Sequence, residues 1–107
     1  MKQLKRSECA ILPLVLKGKW YDMVESGEKK EEYRDYKPFW LKRICNCIRK
    51  EGCVEAVLAF SKGYKKADLF HIINLVYKTD CSNHPEWGEP ETRHFVIKLG
   101  DRVQLID

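Results

Sequence analysis

Apolar residues in this chain come in runs no longer than a strand, and that limits what it can build. Ala10 to Leu16 and Val54 to Phe60 are the longest, far short of the roughly 20 residues a membrane helix needs. With 107 residues there is chain enough for one domain around one core. Three Trp, five Tyr and four Phe supply more aromatic bulk than a disordered chain carries. Lys2, Lys5 and Arg6 ahead of Cys9–Leu16 faintly resemble a secretion signal. Pro13 interrupts that stretch, however, and Lys17-Gly18-Lys19 follows it without a small-residue cleavage site. A strand in a cytoplasmic protein is the expectation.

Local periodicity orders the elements. Residues 1–9 are polar and are expected to form a frayed lead-in to one domain spanning 10–107. Ile11–Lys17, with Pro13 inside, suits an edge strand or one that starts after the proline. Trp20, Met23 and Val24 recur at helical spacing and Gly27 is a C-terminal stop, so Lys19–Ser26 reads as a two-turn helix. Pro38 opens a second helix, with Phe39, Trp40, Ile44, Cys47 and Ile48 on its apolar positions. Val54–Phe60 and Leu69–Tyr77 read as a hairpin. His94–Leu99 and Arg102–Ile106 read as two strands joined by a tight turn at Gly100-Asp101. Thr79–Arg93 is a long Pro-, Asn-, Gly- and Glu-bearing loop, of the kind that carries function. The class is α+β: a small, largely antiparallel sheet or barrel with helices at its rim.

Between the helices lies Gly27-Glu28-Lys29-Lys30-Glu31-Glu32-Tyr33-Arg34, spaced G-x-K-x-x-E-x-R. This stretch is too charged for a core strand. On a strand Glu32 and Arg34 project from one face, where the carboxylate would fix the guanidinium angle for a phosphate or a base edge. Alternation sends Lys29 to the other face, unless a turn or bulge near Gly27 swings it back. There it supplies a second cation, or an amine nucleophile or base if desolvation lowers its pKa. Spacing alone favours a solvated, salt-bridged edge strand, a standard device against aggregation. The charge balance favours an anionic partner here: residues 1–50 hold 13 Lys and Arg against 7 Asp and Glu, and residues 51–107 hold 7 against 9.

The run Leu14–Lys17, then Trp20-Tyr21-Asp22-Met23-Val24 and Ser26–Arg34, resembles the ASCH domain (activating signal cointegrator homology). Phe60-x-x-Gly63-Tyr64, Glu86-Trp87-Gly88 and Phe95–Gly100 resemble its small stand-alone bacterial and phage members, so the likeness covers roughly residues 12–106. It implies a PUA-like β-barrel with about two to three helices at the rim. It also implies a cleft between barrel and first helix, floored by Lys29, Glu32 and Arg34. RNA binding is the usual inference for the family, and some members are hydrolases of acylated cytidine or of RNA. In the cytidine subgroup a Lys, a Thr and a Glu act together. Lys29 matches the Lys, but Glu32 stands where the Thr would be, with Glu86, Glu89 and Glu91 as candidates for the later Glu. Three functions therefore stay open. One is a module binding RNA or a modified nucleotide; the second is a small hydrolase with Lys29 as nucleophile or base and Glu32 as proton shuttle. The third is a protein-interaction module whose charged strand is only soluble surface.

Other candidates surround that stretch. Lys17 and Lys19 flank the strand-to-helix junction beside the expected cleft. Trp87 suits stacking on an unpaired base or plugging the barrel end. Tyr64, among Lys62, Lys65 and Lys66, suits contact with a nucleic-acid backbone or a solvated turn. Trp20 and Trp40 read as core. His71 reads as a satisfied core histidine, and His84 or His94 as a possible general acid or base. Five scattered cysteines, Cys9, Cys45, Cys47, Cys53 and Cys81, form neither a disulfide framework nor a zinc pattern and read as buried thiols. No metal, cofactor or membrane is expected, and the six isolated glycines make no phosphate-cradling loop.

Overall fold

The computed structural model describes residues 1–107. Its elements run β1 (Lys2–Lys5), β2 (Cys9–Leu16), α1 (Gly18–Ser26), β3 (Glu31–Asp35), α2 (Pro38–Ile48), β4 (Glu55–Lys62), β5 (Leu69–Thr79) and β6 (His94–Ile106). Single 3₁₀ turns stand at Arg6–Glu8 and Pro85–Trp87. The six strands form one mixed sheet in the order β1-β6-β5-β4-β2, with β3 also on β6.

Strand β6 organises that sheet. Along one edge it pairs with β5; along the other its first half pairs antiparallel with β3 and its second half parallel with β1. The tight turn expected at Gly100-Asp101 is therefore absent, and β6 runs through it. Gly100 is needed for another reason: a Cβ there would meet the Ile72 carbonyl oxygen at 3.0 Å. The register between β5 and β6 shifts at this close approach, which is where an isolated strand glycine belongs. Nor are residues 1–9 frayed, since Lys2–Lys5 pairs residue for residue with Val103–Ile106.

β2 begins at Cys9 and passes through Pro13, pairing only with β4 and in parallel. As a sheet edge it tolerates a residue with no N–H. Cys9, Ala10, Leu12, Leu14 and Leu16 are buried, while Pro13 and Val15 face outward. β4 lies between β2 and β5, which explains why Val57–Phe60 is buried without alternation. The main core gathers Leu12, Leu14, Phe60 and Ile97 under Tyr21 and Val24 of α1 and Ile44 and Cys47 of α2. A smaller cluster, Cys9, Val57 and Val103, packs separately. The buried stripe of α1 is thus Tyr21 and Val24, and Trp20 is only half-buried. A hydrogen bond explains the choice: the Tyr21 hydroxyl donates to Asp68 at 2.6 Å. Burial and that bond push the phenol up to about 12.

β2 and β3 each keep one unpaired edge, so hydrogen bonding does not close the sheet into a barrel. Two α-helices are present, and neither is long and apolar enough to cross a membrane.

The loop between β5 and β6 is held from inside. Glu89 Oε1 accepts the Asn83 and His84 backbone N–H groups at 2.7 and 2.9 Å. Its Oε2 meets His94 Nε2 at 2.7 Å, while His94 Nδ1 donates to the Thr92 carbonyl. Glu89 and His94 are both buried, so His94 is an anchor with no route to a substrate. Burial pushes the Glu89 carboxyl up, but the bonds from His94 and the two backbone N–H groups outweigh it and hold the pKa below the ordinary 4.5. On acidification the unfolded chain takes up this proton first. The stability Glu89 contributes is therefore complete above pH 4.5 and lost as pH falls through the folded-state pKa. Glu89→Gln is expected to flatten this acid limb in denaturant midpoints followed from neutral to acid pH; an unchanged limb would remove Glu89 as its source.

Candidate nucleic-acid or nucleotide cleft

The two free sheet edges face each other across a cleft of about 490 Å³, lined by Pro13 and Val15 of β2, Glu32 and Arg34 of β3, and Trp40 and Arg43 of α2. Trp20, Trp87 and Lys17 also line it. This volume is in the range of small-molecule and cofactor sites.

The floor is made by the turn out of α1. Gly27 adopts a left-handed conformation (φ 86°) and donates its N–H to the Val24 carbonyl; the Lys29 N–H then reaches back to the Met23 carbonyl at 2.9 Å. That turn swings Lys29 onto the face shared by Glu32 and Arg34, where its ammonium donates to Glu32 Oε1. The other carboxylate oxygen receives Arg34 Nη1 at 3.4 Å, and the same nitrogen donates to the Tyr33 carbonyl at 2.6 Å. Lys29 and Glu32 are only 3% and 2% exposed, whereas the Arg34 side chain is 17% exposed. β3 is therefore a core strand despite its charges: Glu31, Glu32 and Tyr33 are all buried. On the opposite face the Tyr33 hydroxyl donates to Glu31 at 2.9 Å, with Lys98 at 3.6 Å.

Aromatic rings enclose these charges. The Lys29 ammonium lies 5.1 Å from the Trp20 ring centroid and 5.3 Å from that of Tyr33; Arg34 lies 5.2 Å from Trp40. Burial pulls the Lys29 amine below its ordinary 10.5, with Glu32 opposing and Arg34 adding to the shift. The Arg34 hydrogen bonds use Nη1 alone, leaving Nε and Nη2 available for a ligand.

The remaining candidates divide. Lys17 and Trp87 line the cleft. The Trp87 ring is stacked on His84 at 4.0 Å, and His84 in turn pairs with Glu86 at 2.9 Å. Gly88 adopts φ 83°, and a Cβ there would meet the Trp20 ring at 2.9 Å, so only glycine lets the loop dock on that indole. Lys19 is exposed, with its ammonium 4.7 Å from the Trp20 ring. Tyr64 is fully exposed outside the cleft. Glu86 is engaged with His84, Glu89 with the loop, and Glu91 is exposed; none of them lines the cleft. No group of three His, Cys, Asp or Glu residues is gathered in a way that could hold a metal ion.

Trp20 and Trp40, read as core, are half-buried cleft walls, and Phe39 and Arg43 complete the α2 side. A signal for these existed in the sequence: adjacent aromatics point in different directions on a helix, and Arg43 lies four residues after Phe39, with 4.4 Å between guanidinium and ring. His71 is half-buried. Its Nδ1 donates to the Gly100 carbonyl at 2.9 Å and its Nε2 is buried with no partner, so the reading of a satisfied core histidine is corrected. The cysteines are free thiols, but only Cys9 and Cys47 are buried.

No family model and no curated protein matches this sequence. Structural comparison gives crystal structures of two point mutants of ZmASCH from Zymomonas mobilis. One matches with a TM-score of 0.57 and 13% identity, covering 90% of this chain and 71% of that one. The other matches with a TM-score of 0.57 and 14% identity, covering 88% and 71%. At such identity the likeness is one of backbone arrangement, and it agrees with the resemblance carried by the G-x-K-x-x-E-x-R segment: this chain has an ASCH-like fold.

Proposed function

We propose that the chain is an RNA- or nucleotide-binding module whose site is the cleft between β2 and β3. In this reading the sheet is a PUA-like barrel left open along one seam, and the seam is the binding site. One observation carries it: Arg34 is held over Trp40 by a buried carboxylate, with two of its nitrogens free, in a cleft walled by three tryptophans. A planar guanidinium fixed in this way suits a phosphate or the acceptor edge of a base, and indole faces suit an unstacked base. Lys17 at the cleft wall adds a cation.

A hydrolytic reading has one observation in its favour. The lowered Lys29 pKa is the direction an amine base or nucleophile requires. Against it, the ammonium donates to Glu32 and the residue is 3% exposed. Comparing wild type with Lys29→Arg on acylated cytidine and on labelled RNA separates the two readings. The binding reading expects no turnover in either; wild-type turnover lost in Lys29→Arg would establish the hydrolase.

For Arg34→Ala the expected result is at least a tenfold weaker affinity for single-stranded RNA, and a slope of log K against log salt shallower by about 0.7. Unchanged binding, or no binding by the wild type at low salt, would overturn the proposal. Glu32→Gln leaves the Lys29 charge buried without its carboxylate and should lower stability by about 3–5 kcal/mol in urea titrations. The double change Lys29→Met with Glu32→Leu should restore most of that stability yet still bind RNA poorly, because Arg34 loses its support. Full binding by the double variant would show that the pair does not serve the ligand.

A further inference from the structure

The hairpin joining β4 to β5 is rigidly mounted, and its outermost residues serve nothing inside the molecule. Gly63, in a left-handed turn with φ 60°, donates its N–H to the Leu16 carbonyl at 2.9 Å, tying the turn to the end of β2. Lys65 N–H closes onto the Lys62 carbonyl at 3.2 Å, and Asp68 N–H onto that of Phe60 at 3.1 Å. Two side-chain links brace the hairpin against α1: the Tyr21 hydroxyl to Asp68, and the Lys62 ammonium to Asp22 at 2.9 Å. Beyond these braces Tyr64 is fully exposed, and Lys65 and Lys66 are exposed without an ion-pair partner. An aromatic ring in full solvent on a braced turn has no role in packing.

The tip is continuous with the cleft. Leu16 and Lys62 are in register on neighbouring strands, so the turn at Gly63–Tyr64 stands beside Lys17, which lines the cleft, and near exposed Lys19. Residues 17–22 and 62–68 together hold five lysines and two aspartates, Asp22 and Asp68. Asp22 is paired with Lys62 and Asp68 accepts the Tyr21 hydroxyl, so lysines outnumber aspartates by three over these two segments. They form a basic track ending in an exposed aromatic, the pairing of backbone charge with a stacking platform that single strands require.

We infer that the Tyr64–Lys66 tip is a second contact site for single-stranded RNA: a strand seated in the cleft leaves past Lys17 and Lys19 and stacks a base on Tyr64, its phosphates meeting Lys65 and Lys66. The inference rests on the cleft reading above, and its test keeps the two apart. Binding is measured by fluorescence anisotropy at low salt with a labelled single-stranded RNA of about 12 nucleotides, and by competition with cytidine 5′-monophosphate, too small to span both places. Tyr64→Ala should weaken the long RNA roughly tenfold, Tyr64→Phe should retain it, and the mononucleotide should compete equally well against all three proteins. Replacing both Lys65 and Lys66 with Ala should make the salt slope for the long RNA shallower by about 1.4. If Arg34→Ala abolishes binding of the long RNA while Tyr64→Ala and the double lysine change leave it intact, the tip is not part of the site and the inference is overturned alone. If the wild type binds neither probe, it is overturned together with the cleft reading.

Discussion

Everything at this site depends on an ion pair that water scarcely reaches. Lys29 and Glu32 are both buried, the Lys29 ammonium against the rings of Trp20 and Tyr33, where separating the pair would leave a bare charge against apolar surface. A buried pair of this kind adds little net stability compared with apolar residues of similar volume. What it supplies is direction. Glu32 uses one oxygen for Lys29 and turns the other toward Arg34, while the Tyr33 carbonyl takes the same guanidinium nitrogen from behind. Of the two cations that Glu32 engages, Arg34 is the one that reaches solvent, and it is held at a fixed angle, with the entropy of ordering a long side chain already lost in the free protein.

That arrangement needs the sheet to stay open. If β2 and β3 were paired, their edges would satisfy each other and the gap lined by Pro13, Val15, Glu32 and Arg34 would be closed. Instead α2 packs Ile44 and Cys47 against the core residues of β2, and its first turn brings Phe39 and Trp40 to the gap. The loop before β6 covers the other end, anchored by Glu89 and His94 beneath it and by Gly88 against Trp20. The cleft thus draws on two strand edges, both helices and one long loop, which is why its walls are set by tertiary packing.

Which parts of this could be read in the sequence follows from the range of the forces. The α1 stop at Gly27, the α2 start at Pro38 and the grouping of Glu32 with Arg34 are local, and all are found as the spacing implies. The return of Lys29 to that face was legible only as a possibility, since it requires the left-handed Gly27 turn. Three features depend on partners distant in sequence and were misread for that reason. Lys2–Lys5 looks like a free end until Val103–Ile106 offers an edge. Gly100-Asp101 looks like a turn until β5 is seen passing within contact of Gly100. Glu31–Tyr33 looks too charged to bury until its partners Lys29, Arg34 and Lys98 are in place. Charge patterning reports what a residue needs, and only the fold reports whether that need is met inside.

The same pair also weighs on the choice between catalysis and binding. A lysine acting as nucleophile or base must present a lone pair to the substrate. Here the ammonium is directed at Glu32, and attack would first require that bond to break inside an apolar enclosure. Burial lowers the Lys29 pKa, yet the nearby carboxylate opposes the shift, so the environment that would free the amine also stabilises its charged form. A threonine at position 32 would hold the lysine by one neutral contact and leave the amine more readily available. Glutamate there fixes the charge and transmits it to Arg34. On the proposed binding reading, Glu32 is therefore the support of Arg34 and not part of a reactive centre, and the three tryptophans lining the cleft offer stacking faces suited to that reading.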